Sequence, residues 1–174
     1  LWNSQLSDWI ISWKAEYTYL ENRHEPLIYT SYYYDNSDQG WIEEYKTEYT
    51  YDENGNLIMA IYYKDSNLPE WSGSYKATAN EWLEMEKDEY TYDATGRQTM
   101  HITYYWITGQ WTESAKSEYG YDANGKEILN IAYQWDEVTS AWIGSERIEN
   151  VYDAEGFITT YIYSPWDDII SEFV

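Results

Sequence analysis

Lys116–Glu127 reads KSEYGYDANGKE, and two other stretches repeat it with little change outside the turn: KTEYTYDENGNL from Lys46 and KDEYTYDATGRQ from Lys87. In each, a lysine, a glutamate and two tyrosines alternate with other residues, and an Asp-x-x-Gly follows. Alternation with period two is the mark of a β-strand. Asp-x-x-Gly is a tight-turn signature, in which the aspartate caps the turn through its side chain and the glycine supplies positive φ. A second alternating run comes after the turn: Leu57, Met59, Ile61 and Tyr63 in one copy, Met100, Ile102 and Tyr104 in the next, then Leu129, Ile131 and Tyr133. The repeated unit is therefore a β-hairpin.

Outward from the turn, the repeat reaches back to a tryptophan. Trp9, Trp41, Trp82, Trp111 and Trp142 are spaced 32, 41, 29 and 31 residues apart. Five residues after each lies a base (Lys14, Lys46, Lys87, Lys116, Arg147), and seven after each a glutamate (Glu16, Glu48, Glu89, Glu118, Glu149). Ten after each lies Tyr19, Tyr51, Tyr92, Tyr121 or Tyr152; eight after each lies Tyr17, Tyr49, Tyr90 or Tyr119, with Asn150 in the last copy. The turn residues are Asp52 and Gly55, Asp93 and Gly96, Asp122 and Gly125, Asp153 and Gly156, whereas the first copy has Leu20 and Arg23 in those places. The longest interval contains EWSGSYKATAN (Glu70–Asn80), where Trp71 starts an additional partial unit.

The segments WNSQLSDW (Trp2–Trp9), WDEVTSAW (Trp135–Trp142) and WDDIISEF (Trp166–Phe173) share one phase, so the chain opens and closes at the same point of its cycle. It reads as one array over 1–174, with units at roughly 9–40, 41–81, 82–110, 111–141 and 142–173 and an insertion at about 70–80. A start at Leu1 instead of Met adds the expectation that the array is a piece of a longer product.

A lone hairpin cannot bury its apolar face, so stability has to come from copies placed side by side. The expected fold is all-β: an antiparallel array of about five hairpins of roughly 30 residues, about ten strands, forming an elongated sheet or solenoid. A closed β-barrel is the alternative. Strict alternation along Trp111–Tyr121 sets Trp111, Tyr119 and Tyr121 on one face and Lys116 with Glu118 on the other.

Composition bounds the function. The 174 residues carry a formal net charge of −22, from 32 acids against 10 Lys and Arg. Such a surface repels nucleic acid and anionic membranes, so neither is an expected partner. No apolar run approaches the roughly 18 residues that cross a bilayer as a helix, and membrane insertion is not expected. The 22 Tyr and 11 Trp against 2 Phe distinguish the chain from acidic disordered segments, which are poor in aromatics. The absence of cysteine rules out a disulfide scaffold and thiol chemistry.

The elements EYTYDENGN and EYGYDANGK resemble the YD repeat of bacterial Rhs-type and teneurin-like surface proteins, and the Trp/Tyr-rich repeats of secreted Bacteroidota proteins. The residues that carry the resemblance are Tyr49, Tyr51, Asp52 and Gly55; Tyr90, Tyr92, Asp93 and Gly96; Tyr119, Tyr121, Asp122 and Gly125; and Tyr152, Asp153 and Gly156. The resemblance implies an extracellular β-hairpin array serving as a spacer, shell or adhesive surface.

Candidate sites follow from what breaks the repeat. The Lys/Arg-x-Glu pairs read as a ladder that solubilises the sheet and fixes its register. Recurrent Trp and Tyr read as structural core. The irregular aromatics Trp13, Tyr45, Tyr105, Trp106 and Tyr161 are the candidate ligand or partner contacts, because binding resides where a fixed scaffold varies. The Asp-x-Asn-Gly turns lack the further acids of a calcium loop. No cofactor is expected, apart from weak, shared calcium binding by the acidic surface, densest at Asp167 and Asp168. His24 and His101 have no recurrent partner in the sequence, and a periodic chain lacks the unique constellation that catalysis needs, so no enzyme is expected. The expected function is a structural or adhesive repeat segment of a secreted or cell-surface protein. Its partners would be further copies, through end strands or neighbouring repeats of a longer chain, and its extension a head-to-tail filament. A carbohydrate-binding module that stacks glycans on the irregular aromatics is the alternative.

Overall fold

The computed structural model describes residues 2–3, 8–9, 12–21, 24–35, 40–66 and 81–174, so Arg23 and the Glu70–Asn80 stretch with Trp71 lie outside the described residues. Among the described residues thirteen strands are formed: β1 (Trp2–Asn3), β2 (Asp8–Trp9), β3 (Trp13–Tyr19), β4 (Pro26–Asp35), β5 (Gly40–Tyr51), β6 (Leu57–Asp65), β7 (Trp82–Tyr92), β8 (Gln98–Ile107), β9 (Gln110–Tyr121), β10 (Glu127–Asp136), β11 (Ala141–Tyr152), β12 (Ile158–Asp167) and β13 (Glu172–Phe173). Eleven of them make one sheet in the order β13-β12-β11-β10-β9-β8-β7-β6-β5-β4-β3, and β1 pairs with β2 separately. Each strand lies beside its neighbour in sequence, an antiparallel meander. The order has two ends, so the sheet is open and the barrel alternative is not the arrangement.

The chain divides into two compact units, residues 1–50 with 60–86, and residues 51–59 with 87–174. In the first, β3 pairs with β4 (Trp13↔Tyr33, Tyr17↔Tyr29) and β4 with β5 (Ser31↔Tyr45, Tyr34↔Trp41). In the second, β8 through β12 pair in succession, for example Ile102↔Lys116, Tyr133↔Lys116, Ile131↔Arg147 and Ile162↔Glu149.

One feature of the pairing overturns the face assignment made from alternation. Opposite β8, the register of β9 steps from Thr103↔Ala115 to Tyr104↔Glu113, leaving Ser114 as a β-bulge. Glu44 is skipped in the same way on β5, and Ser145 on β11. One extra residue inverts the parity of everything before it. Trp111 and Glu113 therefore share a face with Lys116 and Glu118, and Tyr119 and Tyr121 project from the other. Consistent with this, the Lys116 ammonium lies 5.4 Å from the Trp142 ring, and that of Lys87 5.6 Å from Trp111.

The two kinds of turn have separate chemistries. At the Asp-x-x-Gly end, Asp122 Oδ1 accepts the Asn124 and Lys126 amides at 2.9 Å each, and Gly125 has φ 84°. Asp52 and Asp93 are engaged in the same way. At the tryptophan end, Thr108 and Gly109 (φ 49° and 87°) make the two-residue turn that suits the twist of a hairpin. The longer loops at that end are capped by Asp136, which accepts the Val138 amide, and by Asp167, which accepts that of Ile169. The β12–β13 hairpin thus repeats the β10–β11 hairpin, with Trp166 and Phe173 in the places of Trp135 and Trp142.

Burial is shallow. Ala60 is the one buried hydrophobic residue among the described residues, and the other buried side chains are Ser31, Thr47, Ser66 and Asp88. The recurrent aromatics form half-buried rows on the sheet faces. Cohesion therefore rests on cross-strand and next-strand contacts, each modest and all repeated.

Candidate functional site

On the lysine face, four of the five repeats build the same four-residue rung. Lys116 donates to Glu118 at 2.7 Å, the Tyr133 hydroxyl donates to the same carboxylate at 3.3 Å, and the ammonium sits 4.1 Å above the Tyr133 ring. Lys87, Glu89 and Tyr104 repeat it with Trp111; Lys46, Glu48 and Tyr63 with Trp82; Lys14, Glu16 and Tyr32 with Trp41. Tyrosine contributes twice, through its ring to the cation and through its hydroxyl to the anion. The hydrogen bond from lysine holds the carboxyls of Glu16 and Glu48 below the ordinary range. Burial, reinforced by the adjacent glutamate, pushes the hydroxyls of Tyr32, Tyr63 and Tyr104 up to about 12. Each ammonium is taken up by its own carboxylate and rings, so the rung is a neutralised structural unit.

The fifth rung is different. Arg147 reaches Glu149 at 3.2 Å, but its cross-strand partner is Ser164, where the other copies have tyrosine. The next-strand position is filled by Phe173, which meets Trp166 edge-on with ring centroids 5.0 Å apart. The same edge-on pair recurs as Tyr34–Trp41, Trp106–Trp111 and Trp135–Trp142. Trp106 is accordingly part of a recurrent pair on the lysine face, and not an irregular aromatic.

The other four irregular aromatics project from the opposite face. Trp13 and Tyr45 stand on that face of the first unit, opposite Tyr33 and Ser31 respectively. Tyr105 (opposite Thr112) and Tyr161 (opposite Asn150) stand on it in the second unit. All four are exposed. Around Tyr45 lies a shallow cavity of about 430 Å³ lined by Tyr17, Tyr29, Tyr45, Thr47, Tyr49 and Tyr62. Tyr17, Tyr29, Tyr49 and Tyr62 escape notice in the sequence, because two of them hold regular repeat positions.

His101, without a recurrent partner in the sequence, has specific ones in space. Its Nε2 lies 2.8 Å from Asp88 Oδ1, the Thr103 hydroxyl donates to the same oxygen at 2.8 Å, and the Tyr90 ring stacks on the imidazole at 4.7 Å. Asp88, His101 and Thr103 replace Thr47, Ala60 and Tyr62 of the preceding copy. Three linked changes at one place in the repeat were the available signal. His24, in contrast, is exposed.

No known protein family matches the chain, and no curated protein sequence does. Its fold resembles that of a solved bacterial protein. A protein of unknown function from Bacteroides fragilis superposes with a TM-score of 0.60 at 18% identity, over 79% of this chain and 91% of that one. Two DUF3836 family proteins align less fully. The one from Parabacteroides distasonis has a TM-score of 0.40 at 20% identity, over 49% of this chain and 78% of its own. The one from Bacteroides vulgatus has a TM-score of 0.43 at 20% identity, over 50% and 88%. The first of these likenesses is one of fold alone.

Proposed function

We propose that this chain is a non-enzymatic structural and adhesive repeat segment of a secreted or cell-surface protein, and that copies join edge to edge, β3 of one on β12 of the next. The observation that carries the reading is that β12 and β3 reproduce the two sides of an interior junction, each without such a partner among the described residues. Inside the second unit, β10 meets β11 through Leu129↔Glu149 and Ile131↔Arg147. There the Tyr152 hydroxyl donates to the Glu127 carbonyl at 2.9 Å, and Lys126 covers the Tyr152 ring. One repeat on, Phe157, Ile158, Thr160 and Ile162 hold the places of Lys126, Glu127, Leu129 and Ile131. At the other end of the array, Lys14, Glu16 and Tyr19 hold those of Arg147, Glu149 and Tyr152.

A second copy in the interior register sets Glu16 beside Thr160 and Lys14 beside Ile162. Its Tyr19 hydroxyl then meets the Ile158 carbonyl, under the Phe157 ring. Both aromatics stand ready, Phe157 being 71% and Tyr19 53% exposed. Phe173 already occupies Trp166, so the junction extends no further than Ser164. Unpaired strand edges associate unless something prevents it, and here the deterrent is the charge of −22 on each copy. The turns that resemble YD repeats support an extracellular setting.

The test is sedimentation velocity over a concentration series in 0.05 M and 0.5 M NaCl, with negative-stain imaging of the larger species. Raised salt shortens the screening length from over 10 Å to about 4 Å, so concentration-dependent association is expected at the higher salt. Ile162→Lys, which sets a cation opposite Lys14, should abolish it. A single monomeric species under every condition would refute the reading.

A further inference from the structure

The geometry points to a binding site for a neutral oligosaccharide in the tyrosine-walled cavity of the first unit. Four adjacent strands, β3 to β6, build it. Across β3, β4 and β5 the facing rows are Tyr17–Tyr29–Thr47 and Ala15–Ser31–Tyr45. Tyr17, Tyr29 and Tyr45 therefore border the small residues Ala15, Ser31 and Thr47. Ser31 and Thr47 are buried small residues, Ala60 of β6 is completely covered, and tyrosines rise on both sides of them. Tyr17 and Tyr29 stand with centroids 5.2 Å apart and planes at 56°, forming an angled wall; Tyr45, Tyr49 and Tyr62 stand across from it.

The chemistry of this lining selects the ligand class. The cavity of about 430 Å³ lies within the range typical of small-molecule sites, about 300–1,000 Å³. Its walls offer flat rings edged with hydroxyls, matching a pyranose, which has apolar C–H faces and a rim of hydroxyls. Tyr17 and Tyr45 are 52% and 45% exposed, so ring area is open to a ligand. The one charged residue along the cavity is Lys46, and strand alternation points its side chain to the opposite face, where Glu48 holds the ammonium at 2.8 Å. An uncharged tract on a chain of net charge −22 suits a neutral sugar; the surrounding field repels an acidic one. The site is also unique to its repeat. Tyr45, Thr47, Ala60 and Tyr62 have Glu86, Asp88, His101 and Thr103 at the corresponding positions of the next copy. Covering this face with a second copy would desolvate a field of tyrosine hydroxyls, which fits a wet sugar contact better than a dry sheet-on-sheet one.

The probes are cellohexaose, mannohexaose and xylohexaose as neutral ligands and hexagalacturonic acid as the acidic one, titrated by calorimetry into the intact chain. Saturable binding of at least one neutral probe is expected, with the acidic probe at least tenfold weaker. Tyr17→Ala and Tyr45→Ala should each weaken binding about tenfold, Tyr45→Phe two- to threefold, and Trp106→Ala on the opposite face not at all. Thermal unfolding of each variant separates a lost contact from a lost fold, and the Phe variant keeps the ring in place. No binding of any neutral probe overturns the proposal, as does binding that survives both alanine changes or does not distinguish the acidic probe. A dimer that Tyr45→Ala dissociates, without sugar binding, would show that a second copy covers this face and would equally overturn it. The edge-to-edge association tested with Ile162→Lys stands or falls independently.

Discussion

Tyr152 donates its hydroxyl hydrogen to the main-chain carbonyl of Glu127, 2.9 Å away at the start of the preceding strand. Tyr121 does the same to Gln98 at 2.7 Å, and Tyr92 to Leu57 at 2.8 Å. The second tyrosine of the repeat is kept in every copy, as the tryptophan and the glutamate are, and in these three copies it ties the turn to the hairpin before it. Removing one hydroxyl leaves a half-buried carbonyl without that donor. Tyr121→Phe should cost about 0.5–1.5 kcal/mol, the usual net value of one such bond. Urea denaturation checks this, with Tyr105→Phe on an exposed position as the control that stays within about 0.5 kcal/mol.

The rungs predict a steep alkaline transition. Tyr32, Tyr63 and Tyr104 have folded pKa values raised to about 12, by burial and then by the adjacent glutamate, whereas an unfolded tyrosine ionises near 10. Between those values the folded chain holds more protons than the unfolded one. The stabilisation is therefore complete below pH 10 and is lost as pH rises through 12. Absorbance at 295 nm should show a class of tyrosines that titrates only with unfolding. Glu48→Gln and Glu89→Gln should move Tyr63 and Tyr104 back toward the ordinary range. Titration of all tyrosines together near pH 10, with the far-ultraviolet spectrum intact, would contradict the rung geometry.

In acid the turns govern the outcome. Asp122 is held below the ordinary carboxyl range by the Lys126 amide, and Asp52 by Asn56. A depressed folded pKa contributes stability above the unfolded value, near 3.9, and loses it as pH falls through the folded one. Relief of the like-charge excess acts oppositely and begins at higher pH, where ordinary glutamates protonate. Stability should therefore hold or rise slightly from pH 7 to about 5 and fall below about 4. Asp122→Ala should flatten the acid limb in a pH series of melting temperatures.

Repeat, hairpin and turn were legible in the sequence because each is local: alternation, Asp-x-x-Gly and tryptophan spacing lie within a few residues of one another. The faces were not fully legible. Ser114 looks like any polar residue at its position, and only the pairing partner Tyr104 reveals that it is skipped. The candidate site was half legible for the same reason. Tyr45 stands out as irregular, but Tyr17 and Tyr49 hold regular positions, and Tyr29 and Tyr62 join them only through cross-strand register. His101 likewise needed the register to acquire Asp88.

Gly144 tests whether β13 is held as described. Glu43, Glu84 and Glu113 stand at its position in the second, third and fourth copies, close enough to the tyrosine of a rung for each carboxylate to act on it electrostatically. In the last copy the glycine makes room: a Cβ on it would clash with the Trp166 ring and lie 2.8 Å from Phe173 Cζ. Its backbone φ is not in the left-handed region, so alanine meets a steric obstacle and no conformational one. Gly144→Ala should therefore displace the Trp166–Phe173 pair from β11, at about 1–3 kcal/mol, the range for overpacking. Phe173→Ala should relieve only part of that clash, because the nearer atoms belong to Trp166. In Gly144→Ala, Trp166 fluorescence should shift toward that of a solvated indole, and amide exchange should rise at Val174, whose N–H bonds the Pro165 carbonyl at 3.0 Å. Unchanged fluorescence and exchange would mean that β13 does not rest on this glycine. If β13 does rest there, freeing it uncovers Trp166 and lengthens the open edge of β12. The same substitution should then strengthen edge-to-edge association at 0.5 M NaCl, a gain that a merely damaged fold would not give.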